Sequence, residues 1–279
     1  MPGLVVRDVS VRFGGLSALS EVSFDVPPAS VTGVIGPNGA GKTTLFNVVS
    51  GFVRPSSGSL MWQDKEFRPA PDRLSRVGIV RTLQAVGLFG HLSAVENVMV
   101  GAATLRRSGF LGALFAGPGS GRDERRLRGL ALGWLDRLGI AAVAERPAAA
   151  LPYPVRKQVA LARALIGRPQ LLMLDEPAGG LGIEEMQPLA DLIRALPNDT
   201  ESPCAVLLVE HHMDLVMDVC QQAVVLDFGR KVAAGTPAQV KADPAVAAAY
   251  LGADVPDGQV EHIEHLARFG QTGSDGPTP

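Results

Sequence analysis

No run of about eighteen consecutive apolar residues occurs in the 279-residue chain, so no helix of it is expected to cross a membrane. The opening, MPGLVVRDVSVRF, has no basic segment leading into a long apolar stretch, so a signal peptide is not expected either. On these grounds the chain reads as cytoplasmic, and any membrane role must come through a partner. Cysteine is nearly absent. Cys204 and Cys220 supply neither a disulfide framework nor a metal set, and two buried or half-buried thiols in a reducing compartment is the expected reading. Charge of one sign is not in excess, with 26 basic against 28 acidic side chains and a net of −2, so nothing points to nucleic acid. In the tail, His262 and His265 lie three apart without further ligands, which argues against a metal site.

What is present is apolar patterning that changes period along the chain. LVVRDVSVRF (4–13) alternates and predicts a half-buried strand, and SVTGVIG (30–36) predicts a more buried one. A glycine-rich turn follows, then KTTLFNVVSGF with a helical pattern. SGSLMWQDKEF (57–67) reads as a strand with a turn. From about residue 91 to 153 the composition shifts to Leu, Ala and Arg, and Leu127, Leu130, Trp134, Leu135 and Leu138 share one helical face. Within that region GPGSGRDE (117–124) reads as a loop. His91 reads as a surface or capping residue, and the arginines at 106, 107, 122, 125, 126 and 128 as a solvated helical face, or else a contact with an anionic membrane or a partner's loop. A second amphipathic helix carries Val155, Val159, Ala162 and Ile166 and stops before Arg168-Pro169. Buried strands and helices then alternate (LLMLD, AVLLVE, QAVVLDFG), the signature of a mostly parallel sheet covered by helices.

Two segments carry chemistry. GPNGAGKTT (36–44) fits G-x-x-x-x-G-K-[ST] between a predicted strand and a predicted helix. Gly36, Gly39 and Gly41 let the backbone curl, with Pro37, Asn38 and Ala40, so that its N–H groups face phosphate oxygens. Lys42 reaches the β/γ-phosphates, Thr43 can ligate magnesium, and Thr44 closes the motif. LLMLDE (171–176) carries Asp175 to the sheet edge, where it can hold that magnesium, and sets Glu176 to orient or deprotonate a water.

With these motifs in order, the chain resembles the ATP-binding cassette (ABC) ATPases, specifically the branched-chain amino acid importer type, over residues 4 to 252. RTLQAVGLFGHLSAVENVMVG (81–101) looks like that family's glutamine loop, VALARAL followed by LLMLDEPAGGL is similarly specific, and GTPAQVKADPAVAAAYLG (235–252) resembles its C-terminal extension. The resemblance implies a P-loop α/β fold with a mostly parallel core sheet, an N-terminal antiparallel β region and an inserted helical subdomain. It implies a nucleotide-binding core over 1–90 and 155–252 and a helical subdomain over 91–154; beyond these, the Gly/Ser/Pro-rich stretch GQTGSDGPTP makes 253–279 read as a disordered tail. ATP and Mg²⁺ would be the cofactors, with Gln84 touching the metal or the attacking water and relaying nucleotide state to a permease. His211 would contact the γ-phosphate, with His212 as runner-up where the family more often has Asp. Phe13 would stack on adenine, unless it packs in the core as a strand residue.

The family pattern fails in two places. Its signature, roughly L-S-G-G-Q or L-x-Y-G-Q, binds the γ-phosphate held by the opposite subunit. Here it reads Leu151-Pro152-Tyr153-Pro154-Val155. Proline suits a first helical turn, but Pro154 removes an N–H and Pro152 a hydroxyl where phosphate would be met. Gly182 also stands where an Asp or Asn would reach across the dimer. The residues for this chain's own nucleotide look intact, while those it lends its neighbour look eroded. The resemblance and its two departures therefore imply an ATPase subunit on the inner face of the membrane, driving permease subunits for a branched-chain or related amino acid, beside a second, different ATPase subunit. Alternatives are another cargo, such as urea, amides or exported lipopolysaccharide, or a nucleotide-gated subunit with weak turnover. A nucleic-acid-associated ATPase would need tandem cassettes or a long coiled coil, and 91–153 sustains no heptad.

Overall fold

A computed structural model describes residues 3–82, 86–105 and 120–251. The chain begins with β1 (Leu4–Phe13) and β2 (Leu16–Val26), which pair antiparallel, and β1 also pairs with β4 (Ser57–Trp62), which turns into β5 (Lys65–Glu66). The sequence reading missed β2. The alternation of Val22, Phe24 and Val26 that marks it is out of phase with Leu19, and β1 carries matching register shifts, with Asp8 in the left-handed region at φ 48°. Such bulges bend a strand and break its period of two.

The second sheet is built on β3 (Val31–Ile35), β6 (Ile79–Arg81), β7 (Leu171–Asp175), β8 (Ala205–Val209), β9 (Gln222–Asp227) and β10 (Arg230–Gly235). Among the described residues its order is β10-β9-β3-β8-β7-β6, parallel throughout except for the β9–β10 hairpin. The period of two explains how runs such as LLMLD bury every residue. Leu171 and Met173 of β7, with Leu207 and Val209 of β8, join a cluster shared with β1, β2 and helix α1 (Lys42–Val49). Leu172, Leu174, Val206 and Leu208 point the other way, to helices on the opposite face.

Three helices form a separate apolar cluster: α2 (Ala94–Gly101), α3 (Ser120–Arg137) and α4 (Tyr153–Leu165). Leu127 and Leu135 of α3 are buried there, and Leu130, Trp134 and Leu138 pack against it. Residues 120–124, expected as loop, are instead the first turn of α3, where Arg126 bonds Asp123 and the Leu105 carbonyl and Arg128 pairs with Glu145. Arg122 and Arg125 are exposed, while Arg106 and Arg107 lie outside the described residues. Helix α4 has two apolar faces. Val159 and Ala162 point to the helical cluster, and Leu161, Ala164 and Leu165 to the sheet. The boundary at 154/155 falls in its first turn, so α4 joins the two packing units, and Trp134 of α3 packs against both as well.

The chain continues through α5 (Ile183–Ala195), α6 (Met213–Val219), α7 (Pro237–Ala242) and α8 (Pro244–Leu251). The expected tail, with His262 and His265, lies outside the described residues. Cys204 and Cys220 are buried free thiols, and burial pushes both up to about 12. None of the described helices is long and apolar enough to cross a membrane.

Candidate nucleotide-binding site

In a parallel sheet the strands deliver their carboxyl ends to one edge, where ligands bind. Here that edge gathers the turn after β3, Arg81 and Thr82 at β6, Asp175 and Glu176 at β7, and Glu210, His211 and His212 after β8. After β3, residues 36–41 curl into the N-terminus of α1. Gly36 takes φ 149°, and a Cβ there would lie 2.1 Å from the Leu226 carbonyl oxygen, so only glycine lets β9 and the loop approach this closely. Gly41 caps α1 at φ 100°. The N–H groups of Lys42, Thr43 and Thr44 open the helix without helical acceptors, as anion binding requires. Asn38, Gly39 and Thr43 are exposed, Pro37 and Thr44 half-buried, and Ala40 is buried, its N–H bonding the Pro37 carbonyl at 3.2 Å. The Lys42 ammonium donates to the carbonyls of Gly36 at 2.6 Å and Pro37 at 2.9 Å. Burial lowers its pKa, and the nearby Glu176 carboxylate opposes that shift.

Asp175 is buried in an ion pair that sequence reasoning did not foresee. Arg81 donates to its Oδ2 at 2.7 Å, with the two side chains 9% and 2% exposed. The same guanidinium donates to Asn47 at 2.8 Å and Ser50 at 2.7 Å and lies over the rings of Phe46 and Phe52. It thereby ties β6 and β7 to α1. Asp175 Oδ1 is buried without a hydrogen-bond partner among the described residues. Arg81→Met would leave Asp175 as an uncompensated buried charge, a defect costing about 3–5 kcal/mol. Urea unfolding of the purified variant should show that loss, and adding Asp175→Asn should recover part of it.

Glu176 stands half-buried at φ 48°, a conformation disfavoured for a side chain with a Cβ. Its N–H donates to the Val209 carbonyl at 2.9 Å. Two charged residues hold the chain that follows. Lys157 on α4 donates to the carbonyls of Glu176 at 3.3 Å, Pro177 at 2.8 Å, and Gly179. Glu210, fully buried, accepts the Ala178 N–H at 2.7 Å on one oxygen. On the other it accepts the N–H of His211 at 3.1 Å and meets His212 Nδ1 at 3.0 Å. The imidazoles lie with centroids 4.3 Å apart, both half-exposed.

Four further residues of the expected site remain. Phe13, at the end of β1, is 51% exposed and so is not a core residue. Pro152 is the N-cap of α4 and Pro154 lies in its first turn, where Arg156 N–H already bonds the Pro152 carbonyl at 3.0 Å. Helix entry is thus unimpaired by the prolines. Gln84 lies outside the described residues. The site residues missed from sequence are Arg81, Lys157 and Glu210. Glu210 left a trace, as a lone acid closing the apolar run AVLLV before two histidines. The other two act on partners far along the chain and left none.

Topology says as much as the side chains. The phosphate loop rises from β3, the acidic pair ends β7, and β8 between them brings the histidines. This is the layout of a P-loop nucleotide hydrolase. The ABC transporter family profile matches residues 19–179, and that of the branched-chain amino acid ATP-binding cassette transporters matches residues 230–256. Over 252 residues, covering 90% of this chain and 98% of the relative, the sequence is 40% identical to the high-affinity branched-chain amino acid transport ATP-binding protein BraF of Pseudomonas aeruginosa. It is 37% identical, with the same coverage, to LivG of Escherichia coli, which bears the same description. A crystal structure of the ADP conformation of an ATP-binding cassette of an ABC transporter superposes with a TM-score of 0.77 at 28% identity, covering 90% of this chain and 99% of that one. A nucleotide-free cassette superposes at 0.74 with the same identity and coverage. The chain belongs to the ATP-binding subunits of the ABC transporter family. It binds ATP and acts as a transporter ATPase.

Proposed function

We propose that this ATPase drives uptake of branched-chain or related amino acids, cleaving ATP at the site built on Lys42, Asp175, Glu176 and His211. ATPase subunits of this family work with permease components, and this one would sit on the inner face of the cell membrane against its permease. The observation that carries the cargo is the pairing of near-full-length similarity to BraF and LivG with the branched-chain profile over residues 230–256. In this reading exposed Phe13 stacks on adenine. The turn from Gly36 to Gly41, through Pro37, Asn38, Gly39 and Ala40, offers amides to the phosphates together with Lys42, Thr43 and Thr44. Glu176 takes the proton of the attacking water, and His211 donates to a γ-phosphate oxygen.

Asp175, Thr43 and Gln84 are the residues that would hold Mg²⁺. The partnerless Asp175 Oδ1, beside an Oδ2 already engaged by Arg81, suits the hydrated shell of a hard cation. Bound there, the ion would neutralise phosphate charge developing in the transition state. Gln84 would pass nucleotide state to the permease.

The two prolines support a second, different ATPase subunit as partner. A serine hydroxyl and an amide that would serve the neighbour's phosphate are missing here, while this chain's own site keeps its residues. Each charge-assisted hydrogen bond so lost is worth about 1.5–3 kcal/mol, or about ten- to a hundredfold in rate. The test reconstitutes the chain with its permease and the second ATPase in vesicles and follows uptake of labelled leucine beside ATP turnover. Leucine should enter, urea should not, and hydrolysis should run mainly at the Lys42–Glu176 site. Pro152→Ser with Pro154→Gly should speed the partner's site by about tenfold or more and leave this chain's site nearly unchanged. Equal turnover at both sites in the wild type would remove the asymmetry. Urea uptake without leucine uptake would reassign the cargo.

A further inference from the structure

We propose that Lys157 and Glu210 form a two-charge clamp on residues 176–180, and so act as positioning residues for hydrolysis. The clamp would hold Glu176 and His211 as one unit and tie both to the first turns of α4. The inference rests on the reading of Glu176 as the base.

An ammonium has three N–H donors. Those of Lys157 go to three main-chain carbonyls of one short segment, those of Glu176, Pro177 and Gly179. Such a ring of carbonyls is the arrangement a protein builds around a cation. The amide of Ala178, between them in sequence, turns instead to the buried carboxylate of Glu210. The segment's carbonyls therefore meet a positive charge and its amide a negative one. The two side chains form no ion pair with each other among the described residues. Lys157 spends its hydrogen bonds on the loop, while Glu210 divides its own between the loop and the two histidines. The acids Glu210 and Glu176 raise the Lys157 pKa against the lowering effect of burial.

The segment needs holding. Glu176 enters it in the left-handed region, and Gly180 leaves it at φ 74°. A backbone that turns through such conformations persists only where its surroundings impose them. Local packing is thin on one side, where a cleft of about 580 Å³ opens between α4 and α5, lined by Leu161, Leu189 and Leu192 and reaching Lys157, Glu176 and Pro177. The Tyr153 ring adds a second contact from α4, lying under the Lys157 ammonium at 5.4 Å and against Gly180, where an added Cβ would come within 3.1 Å of the ring. Any rotation of α4 would thus draw on the carbonyls next to the base. On the other side of the loop, Glu210 passes the position to the His211 amide.

The test uses Lys157→Met, which keeps the aliphatic stem and removes charge and donors, in the full-length chain and in the reconstituted transporter. A displacement of the base by about an ångström costs about a hundredfold, so kcat should fall about ten- to a hundredfold with ATP affinity within about twofold of wild type. Lys157→Arg, which returns a charge and donors, should recover part of the rate. In the chain alone, hydrogen exchange should quicken at the amides of Ala178 and Gly179 and stay unchanged in β7. Glu176→Gln is run beside it. If that variant is silent while Lys157→Met turns over at the wild-type rate, the clamp is wrong and the base stands. If Glu176→Gln turns over normally, the base reading fails, and unchanged exchange at Ala178 would then sink the clamp as well. Equal losses of ATP affinity and kcat with no recovery in Lys157→Arg would make Lys157 a packing residue and overturn the proposal.

Discussion

Glu176→Gln is expected to keep ATP binding and to slow hydrolysis by about a thousandfold, the scale of a lost general base. The change is nearly isosteric, so the Glu176 N–H should keep its bond to Val209 and the 176–180 segment its bonds to Lys157 and Glu210. Asp175 keeps its ion pair with Arg81. The capacity to take a proton is removed, together with the negative charge that faces Lys42 and Lys157. Single-turnover measurements on the reconstituted transporter separate the two quantities, with nucleotide retained on the protein and phosphate not released. Hydrolysis at the wild-type rate would show that another group accepts the proton.

Lys42→Ala should weaken ATP binding by about a hundredfold or more, the loss of two charge-assisted hydrogen bonds to phosphate oxygens. The Lys42 ammonium rests on the carbonyls of Gly36 and Pro37, which lie in the loop itself. On the proposed reading the lysine would both attract phosphate and neutralise the loop's own carbonyl oxygens. Its removal should cost binding rather than folding, because α1 is anchored by Leu45, Phe46, Val48 and Val49. Calorimetry with ATP reads the affinity, and thermal unfolding checks that the fold survives. Equal affinity in the two proteins would take the phosphate away from this loop.

Much of this was legible in the sequence because the informative stretches are local. LLMLD and AVLLV are too short and too evenly apolar to be anything but strands buried on both faces, and the phosphate loop carries its glycines where the backbone needs them. Strand β2 escaped because a bulge shifts its phase at Leu19, so the alternation that marks a strand is interrupted midway. The clamp and the Arg81 pair escaped for a different reason. Lys157 acts on carbonyls 19 to 22 residues away, and Arg81 on a carboxylate 94 residues away. Carbonyl oxygens have no residue type, so no motif can register a side chain whose partners are backbone. Phe13 lay between two readings in sequence, adenine platform or core. Its 51% exposure removed the second.

The two buried thiols have a practical consequence. At neutral pH a thiol held at a pKa of about 12 is almost wholly protonated, and Cys204 and Cys220 are also shielded from solvent by the sheet and its helices. Maleimide reagents should pass over both while the chain is folded. The natural sequence is thus already a blank background for site-directed labelling, with no cysteine to remove first. A single cysteine in place of Ile183, 85% exposed beside Gly182, would carry a fluorophore or spin label alone. Distances from that label to one on a second cassette could then follow opening and closing in a chain otherwise unaltered. Slow labelling of the native pair would count the rarer events in which the whole core comes apart.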